Sequence, residues 1–165
     1  MYSLNVPVPG AVERLTADLH PRLTAFDRIR ERHTLVAKRL GEGPPHRLRE
    51  RLRDLLRGTD PFEARVVGVD YFETPTRGRG PVVYLAVESP GLRALHDRLT
   101  ESFDAIAGIE GSAYVPHVTL ARGGSVETAA DLSATTIEPI SWTVSRLDLW
   151  SAEYREVAES IRLPR

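Results

Sequence analysis

Two pairs of strand-like runs follow one another with no helix between them, and this adjacency limits the fold more than any other feature. Residues 65–72 and 81–88 are rich in valine and tyrosine. Only Glu73-Thr74-Pro75-Thr76-Arg77-Gly78-Arg79-Gly80, a long hairpin loop, separates them. Residues 140–150 and 155–163 repeat the arrangement, with Val157, Ile161 and Leu163 on one face. Parallel neighbours need a long crossover and antiparallel ones do not. The expected class is therefore α+β with antiparallel sheets, not a doubly wound parallel sheet.

The remaining pattern fits around these strands. Tyr2 to Pro9 alternates briefly and stops at prolines, as a short first strand does. Val12, Leu15, Leu19 and Leu23 recur at helical spacing, and Pro21 is expected to kink or end that helix. Residues 29–40 read as one buried strand, and 41–45 as a turn. Arg47 to Arg57 carries Leu48, Leu52, Leu55 and Leu56 on one stripe and arginines on the other face, an amphipathic helix. A second runs from Pro90 to Ile106, a strand from Tyr114 to Ala121, and a short helix from Val126 to Leu132.

The 165 residues suit a single domain, 1–165, of two intimately packed lobes. The balance of 41% hydrophobic and 27% charged residues is that of a globular chain. With no cysteine, disulfides, thiolate metal sites and cysteine nucleophiles are excluded. No signal peptide or apolar run long enough for a bilayer is read, so the expectation is a soluble cytoplasmic monomer without membrane contact. A net charge of −1 argues against a basic nucleic-acid coat but allows a local basic cleft. Lys38 is the sole lysine. Arginine's planar fork suits phosphate, although a GC-rich genome produces the same bias.

The chemistry concentrates at two histidines. In Tyr114-Val115-Pro116-His117-Val118-Thr119-Leu120-Ala121-Arg122, strand alternation puts His117 and Thr119 on one face and Val118 and Leu120 on the other. A histidine and a hydroxyl on one face make a proton-transfer and phosphate-binding unit. Earlier in the chain, 84 positions before His117, stands His33 in Glu31-Arg32-His33-Thr34-Leu35-Val36. There threonine follows histidine directly, so a regular strand would turn the two side chains to opposite faces unless a bulge realigns them. Two histidines at one phosphodiester could remove one proton and deliver another near neutral pH, with hydroxyls or arginines on the nonbridging oxygens and no metal. Each histidine follows a helix and sits beside threonine, a weak internal symmetry that would place both in a shared cleft.

These half-sites, with Pro-His-Val-Thr-Leu-Ala-Arg at 116–122 and the ending Leu147-Asp148-Leu149-Trp150-Ser151, resemble the 2H phosphoesterase superfamily. Within it the chain is most similar to the 2′-5′ RNA ligase and RNA 2′,3′-cyclic phosphodiesterase group. The resemblance implies a bilobal α+β fold, two antiparallel-sheet lobes related by a pseudo-twofold repeat, with outer helices and a central cleft. It implies His33 and His117 as catalytic residues, Thr119 and Thr34 as phosphate contacts, and neither metal nor cofactor. The group's motif has one residue between histidine and hydroxyl, and the first half-site here departs from it. Arg122 is read as a further phosphate contact, and Tyr114 as a side chain that stacks on a base or fills a half-buried strand position. Lys38 and Arg39 are read as a solvated edge, with cleft lining as the alternative, Arg77 and Arg79 as part of a mobile polar loop, with closure over substrate as the alternative, and His20, His46 and His96 as structural or surface residues.

The expected activity is metal-independent cleavage of RNA 2′,3′-cyclic phosphate ends or 2′-5′ linkages. A phosphodiesterase for a small cyclic nucleotide is the alternative within enzymes. An RNA-binding module with a decayed first half-site is the alternative outside them.

Overall fold

The computed structural model describes residues 1–164. The helices are α1 (Gly10–Leu23), α2 (Pro45–Leu56), α3 (Pro90–Thr100) and α4 (Val126–Ser133), with a 3-10 turn at Gly111–Ala113. The strands are β1 (Tyr2–Val6), β2 (Arg28–Ile29), β3 (Leu35–Gly41), β4 (Phe62–Phe72), β5 (Val82–Glu88), β6 (His117–Arg122), β7 (Ile140–Val144), β8 (Arg146–Ser151) and β9 (Glu156–Arg162). All join one antiparallel sheet in the order β7-β4-β5-β6-β3-β1-β8-β9, with β2 also beside β6. The class is α+β. Instead of two separate sheets there is one, joined at its centre by the single register pair Leu35↔Val118.

The helices lie over the apolar face. α3 and α4 pack on β4, α3 also on β3, α1 on β6 and α2 on β9. Alternation decides which side chains they cover. Leu4, Leu35, Val118, Leu120, Leu147 and Leu149 are almost fully buried, whereas His117, Thr119, Asp148 and Trp150 are only partly covered. The opposite face is therefore the polar one, and it carries the site.

Three expected elements are cut differently. The strand expected over 29–40 is interrupted. Ile29 pairs Ala121 and Leu35 pairs Val118, so residues 30–34 stand across from Thr119 and Leu120 alone and the surplus loops out. His33 lies on that excursion. Residues 140–150 form two strands at opposite parts of the sheet, β7 against β4 and β8 against β1. Helix α3 ends at Thr100 and not at 106, because the next segment serves another purpose: the Asp104 carbonyl accepts from Lys38, and the Ile106 N–H donates to Glu110. Pro21 sits in the last turn of α1, which stops two residues later.

Beyond Leu35, side chains take the place of β6 along that edge of β3, while β1 pairs the other edge. The Tyr114 hydroxyl donates to the Val36 carbonyl at 2.7 Å, and His96 Nδ1–H to that of Ala37 at 2.7 Å. Glu110 Oε2 accepts the Arg39 N–H at 2.9 Å, and Lys38 Nζ donates to the Arg39 carbonyl at 2.7 Å. These groups satisfy the backbone that β6 leaves unpaired and let the two halves of the sheet part, which opens the cleft.

Candidate active site

His117 opens β6 immediately after Pro116, whose ring has no N–H for the ladder. Its Nδ1–H donates to the Val115 carbonyl at 2.6 Å, which leaves Nε2 as the free nitrogen. Phe72 and Tyr84 meet the ring edge-on, with centroids 5.4 and 5.2 Å away. Burial pushes the His117 pKa below its ordinary value, and the positive charges of Arg39 and Arg30 push it further; the Val115 bond only partly opposes them. The imidazole is thus held neutral, with Nε2 ready to accept a proton.

The cavity at His117 measures about 250 Å³ and is lined by Thr119, Thr74, Thr76, Arg30, Arg39, Arg77 and Arg122 among others, none of them acidic. Burial, followed by the charges of Arg122, Arg39 and Arg28, lowers the pKa of Arg30. Burial also lowers that of Arg39, with Glu110 opposing and Arg77 assisting. Guanidinium groups gathered without a carboxylate repel one another, and an anion relieves that repulsion. Arg122 donates to the Arg77 carbonyl at 3.1 Å, so the hairpin loop is tied to the end of β6. At Gly78, φ is +75°, and a Cβ there would collide with the Arg122 guanidinium.

The two histidines do not share this cavity. His33 lines a neighbouring one of about 400 Å³ with Thr34, Asn5, Glu13, Asp148 and Trp150. Its Nδ1–H donates to Glu13 of α1 at 2.9 Å. The looped-out segment 30–34 is the cause. In the antiparallel register Val36, not a histidine or threonine, stands beside His117 and lines its cavity. The cleft therefore holds His117, Thr119 and Arg122 together and leaves His33 and Thr34 outside.

Tyr114 also departs from expectation. It is 5% exposed, its ring is stacked on His96 at 3.8 Å, and Arg93 lies 5.2 Å from the ring centroid. With its faces engaged and its hydroxyl bound to Val36, it holds β3 and is not free to stack on a base. Lys38 is wholly buried, not on a solvated edge, and Arg39 turns into the cavity. Arg30 was missed altogether. The one available signal was its place in the run Arg28-Ile29-Arg30, and only the β2–β6 pairing shows which arginine reaches the cleft.

The profile of the 2′-5′ RNA ligase superfamily matches residues 33–156, most of the chain. This chain belongs to the 2′-5′ RNA ligase superfamily, the 2H phosphoesterases. A curated member, the RNA 2′,3′-cyclic phosphodiesterase of Methanothermobacter thermautotrophicus, is 37% identical over 84 residues. That stretch is 50% of this chain and 45% of the relative, so the match spans less than half of the relative's length. Among solved structures, TT0787 of Thermus thermophilus superposes with a TM-score of 0.63 at 24% identity, over 98% of this chain and 97% of that one. Escherichia coli LigT complexed with 3′-AMP superposes with a TM-score of 0.66 at 17% identity, over 99% and 98%. At such identities these two structures establish the shared fold alone. No helix among the described residues is long and apolar enough to cross a membrane.

Proposed function

We propose that this 2H phosphoesterase cleaves phosphodiesters of the RNA 2′,3′-cyclic phosphate type in the His117 cavity, without a metal. The observation that carries the reading is the meeting of four arginines with one neutral histidine in a cavity that has no acidic lining. The guanidinium groups and the Thr119 hydroxyl hold the nonbridging oxygens. Water attacks phosphorus as His117 Nε2 takes its proton, the bond to one ribose oxygen breaks, and that proton passes to the departing oxygen. The name of the curated relative agrees with this substrate class. The reading does not use His33 as the second acid–base group.

The position of His33 favours one second reading, an RNA-end binding module that does not turn over. One assay separates the two: hydrolysis of a short RNA bearing a 2′,3′-cyclic phosphate, with EDTA present, by wild type and His117→Ala. Turnover that His117→Ala reduces at least 100-fold supports the esterase. Binding without turnover supports the module.

A further inference from the structure

The His33 chamber opens on the same face of the sheet as the His117 cavity. A row of register partners crosses that face: Val36, beside His117, pairs Asn5; Asn5 pairs Asp148; and Asp148 pairs Ser160. Directly paired residues point to one side of a sheet. Asn5 therefore lies two strand spacings, roughly 10 Å, from His117, and Asp148 one strand further. That span is comparable with one nucleotide. Resting on the phosphate reading above, we infer that this chamber takes the base of the nucleotide whose phosphate lies at His117, and that it prefers guanine.

The lining sets the acceptors of Asn5, Asp148, Glu13 and Glu31 beside donors on Arg32, His33 and Thr34, and two of the acceptors have capacity to spare. Asn5 is 6% exposed, yet its Oδ1 is buried with no hydrogen-bond partner. Such an orphan acceptor is costly to keep in the free protein and is satisfied by a ligand that brings a donor. Asp148 Oδ1 accepts the Ser160 hydroxyl at 2.6 Å, and its second carboxylate oxygen has no side-chain donor among the described residues. Guanine carries two neighbouring donors, N1–H and the 2-amino group, whereas uracil presents one N–H between two carbonyl acceptors. A carboxylate takes paired donors in a fork, and an amide oxygen beside it extends the match. The carboxylates here are not a cation cage, because no group of three possible metal ligands gathers among the described residues.

The walls suit a flat ring. Val6, Val8, Trp150 and Val157 supply apolar surface, and the Arg32 guanidinium lies 3.6 Å from the centre of the Trp150 ring. Bases stack on guanidinium planes as they do on aromatic rings. Arg32 also lines a third cavity, which shares Arg30, Thr119 and Arg122 with the phosphate chamber, so this third space lies between the base chamber and the phosphate chamber.

The test is calorimetric titration of the full chain with 3′-GMP, 3′-UMP and inorganic phosphate. The expected result is that 3′-GMP binds at least ten-fold tighter than 3′-UMP, and that Asn5→Ala and Asp148→Asn each remove the difference. Asn5→Ala deletes an unpaired acceptor, so its melting temperature holds or rises, which separates lost recognition from lost folding. Equal binding of the two nucleotides, or a preference that survives both substitutions, overturns the base chamber and leaves the phosphate site standing. Failure of inorganic phosphate and both nucleotides to bind overturns the phosphate site, and this inference with it.

Discussion

Lys38 and Glu110 form a 2.7 Å ion pair with essentially no solvent access to either side chain. Together they hold Arg39 by its N–H and its carbonyl, and so set the angle at which its guanidinium enters the cleft. Burial disfavours the ionised Glu110, but the Arg39 N–H, the Lys38 ammonium and the Ile106 N–H outweigh it and lower its pKa.

Glu110→Ala strands a buried ammonium and is expected to cost about 3–5 kcal/mol in urea unfolding. Lys38→Met with Glu110→Leu removes both charges and is expected to unfold closer to wild type than Glu110→Ala does. Because Glu110 titrates lower in the folded chain than in the unfolded one, its contribution is complete above the usual carboxylate pKa. It is lost as pH falls through the lowered folded value. Acid unfolding of wild type, compared with the double variant, reads this difference.

The lowered pKa of His117 fixes the direction of the pH profile. The base must be unprotonated, so kcat/KM rises with pH through its pKa, and the acid limb lies below the ordinary histidine value. His33→Ala is expected to leave that limb in place and to reduce kcat/KM by less than ten-fold, because His33 belongs to another cavity. An equal loss in His33→Ala and His117→Ala would restore a two-histidine mechanism.

Arg39 stands close enough to Arg30 in the cleft for its charge to lower the Arg30 pKa. Replacing either with Gln is expected to raise the melting temperature, by relieving desolvation and repulsion. The same change is expected to weaken phosphate binding by about 1.5–3 kcal/mol, the worth of one charged hydrogen bond. Titration calorimetry at two salt concentrations checks this, with the larger loss at low salt.

Gly78→Ala places a Cβ in a left-handed backbone position and against Arg122. The expected cost is about 1–3 kcal/mol of stability, together with a higher KM. An unchanged KM would show that Arg122 does not contact substrate.

Tyr114→Phe removes the hydroxyl bond to Val36 and is expected to cost about 1 kcal/mol in unfolding. No selective loss of RNA binding is expected, since the stacked ring stays against His96.

The α+β class, the antiparallel pairing of residues 65–72 with 81–88, the helices and the face shared by His117 and Thr119 were legible in the sequence. Each rests on local periodicity, which covalent geometry imposes wherever one side of an element is buried. The family was also legible in Pro-His-Val-Thr-Leu-Ala-Arg. What only tertiary structure decided was which residues stand across from that strand. The pairing of Ile29 with Ala121 and of Leu35 with Val118 absorbs the intervening chain as a loop, which carries His33 to Glu13 and leaves Val36 beside His117. The same non-local pairing brings Arg30 into the cleft, and the buried Glu110, distant in sequence, turns Arg39 toward it. Register between distant strands depends on contacts that no local pattern encodes, so the sequence determined the faces and the fold determined the neighbours.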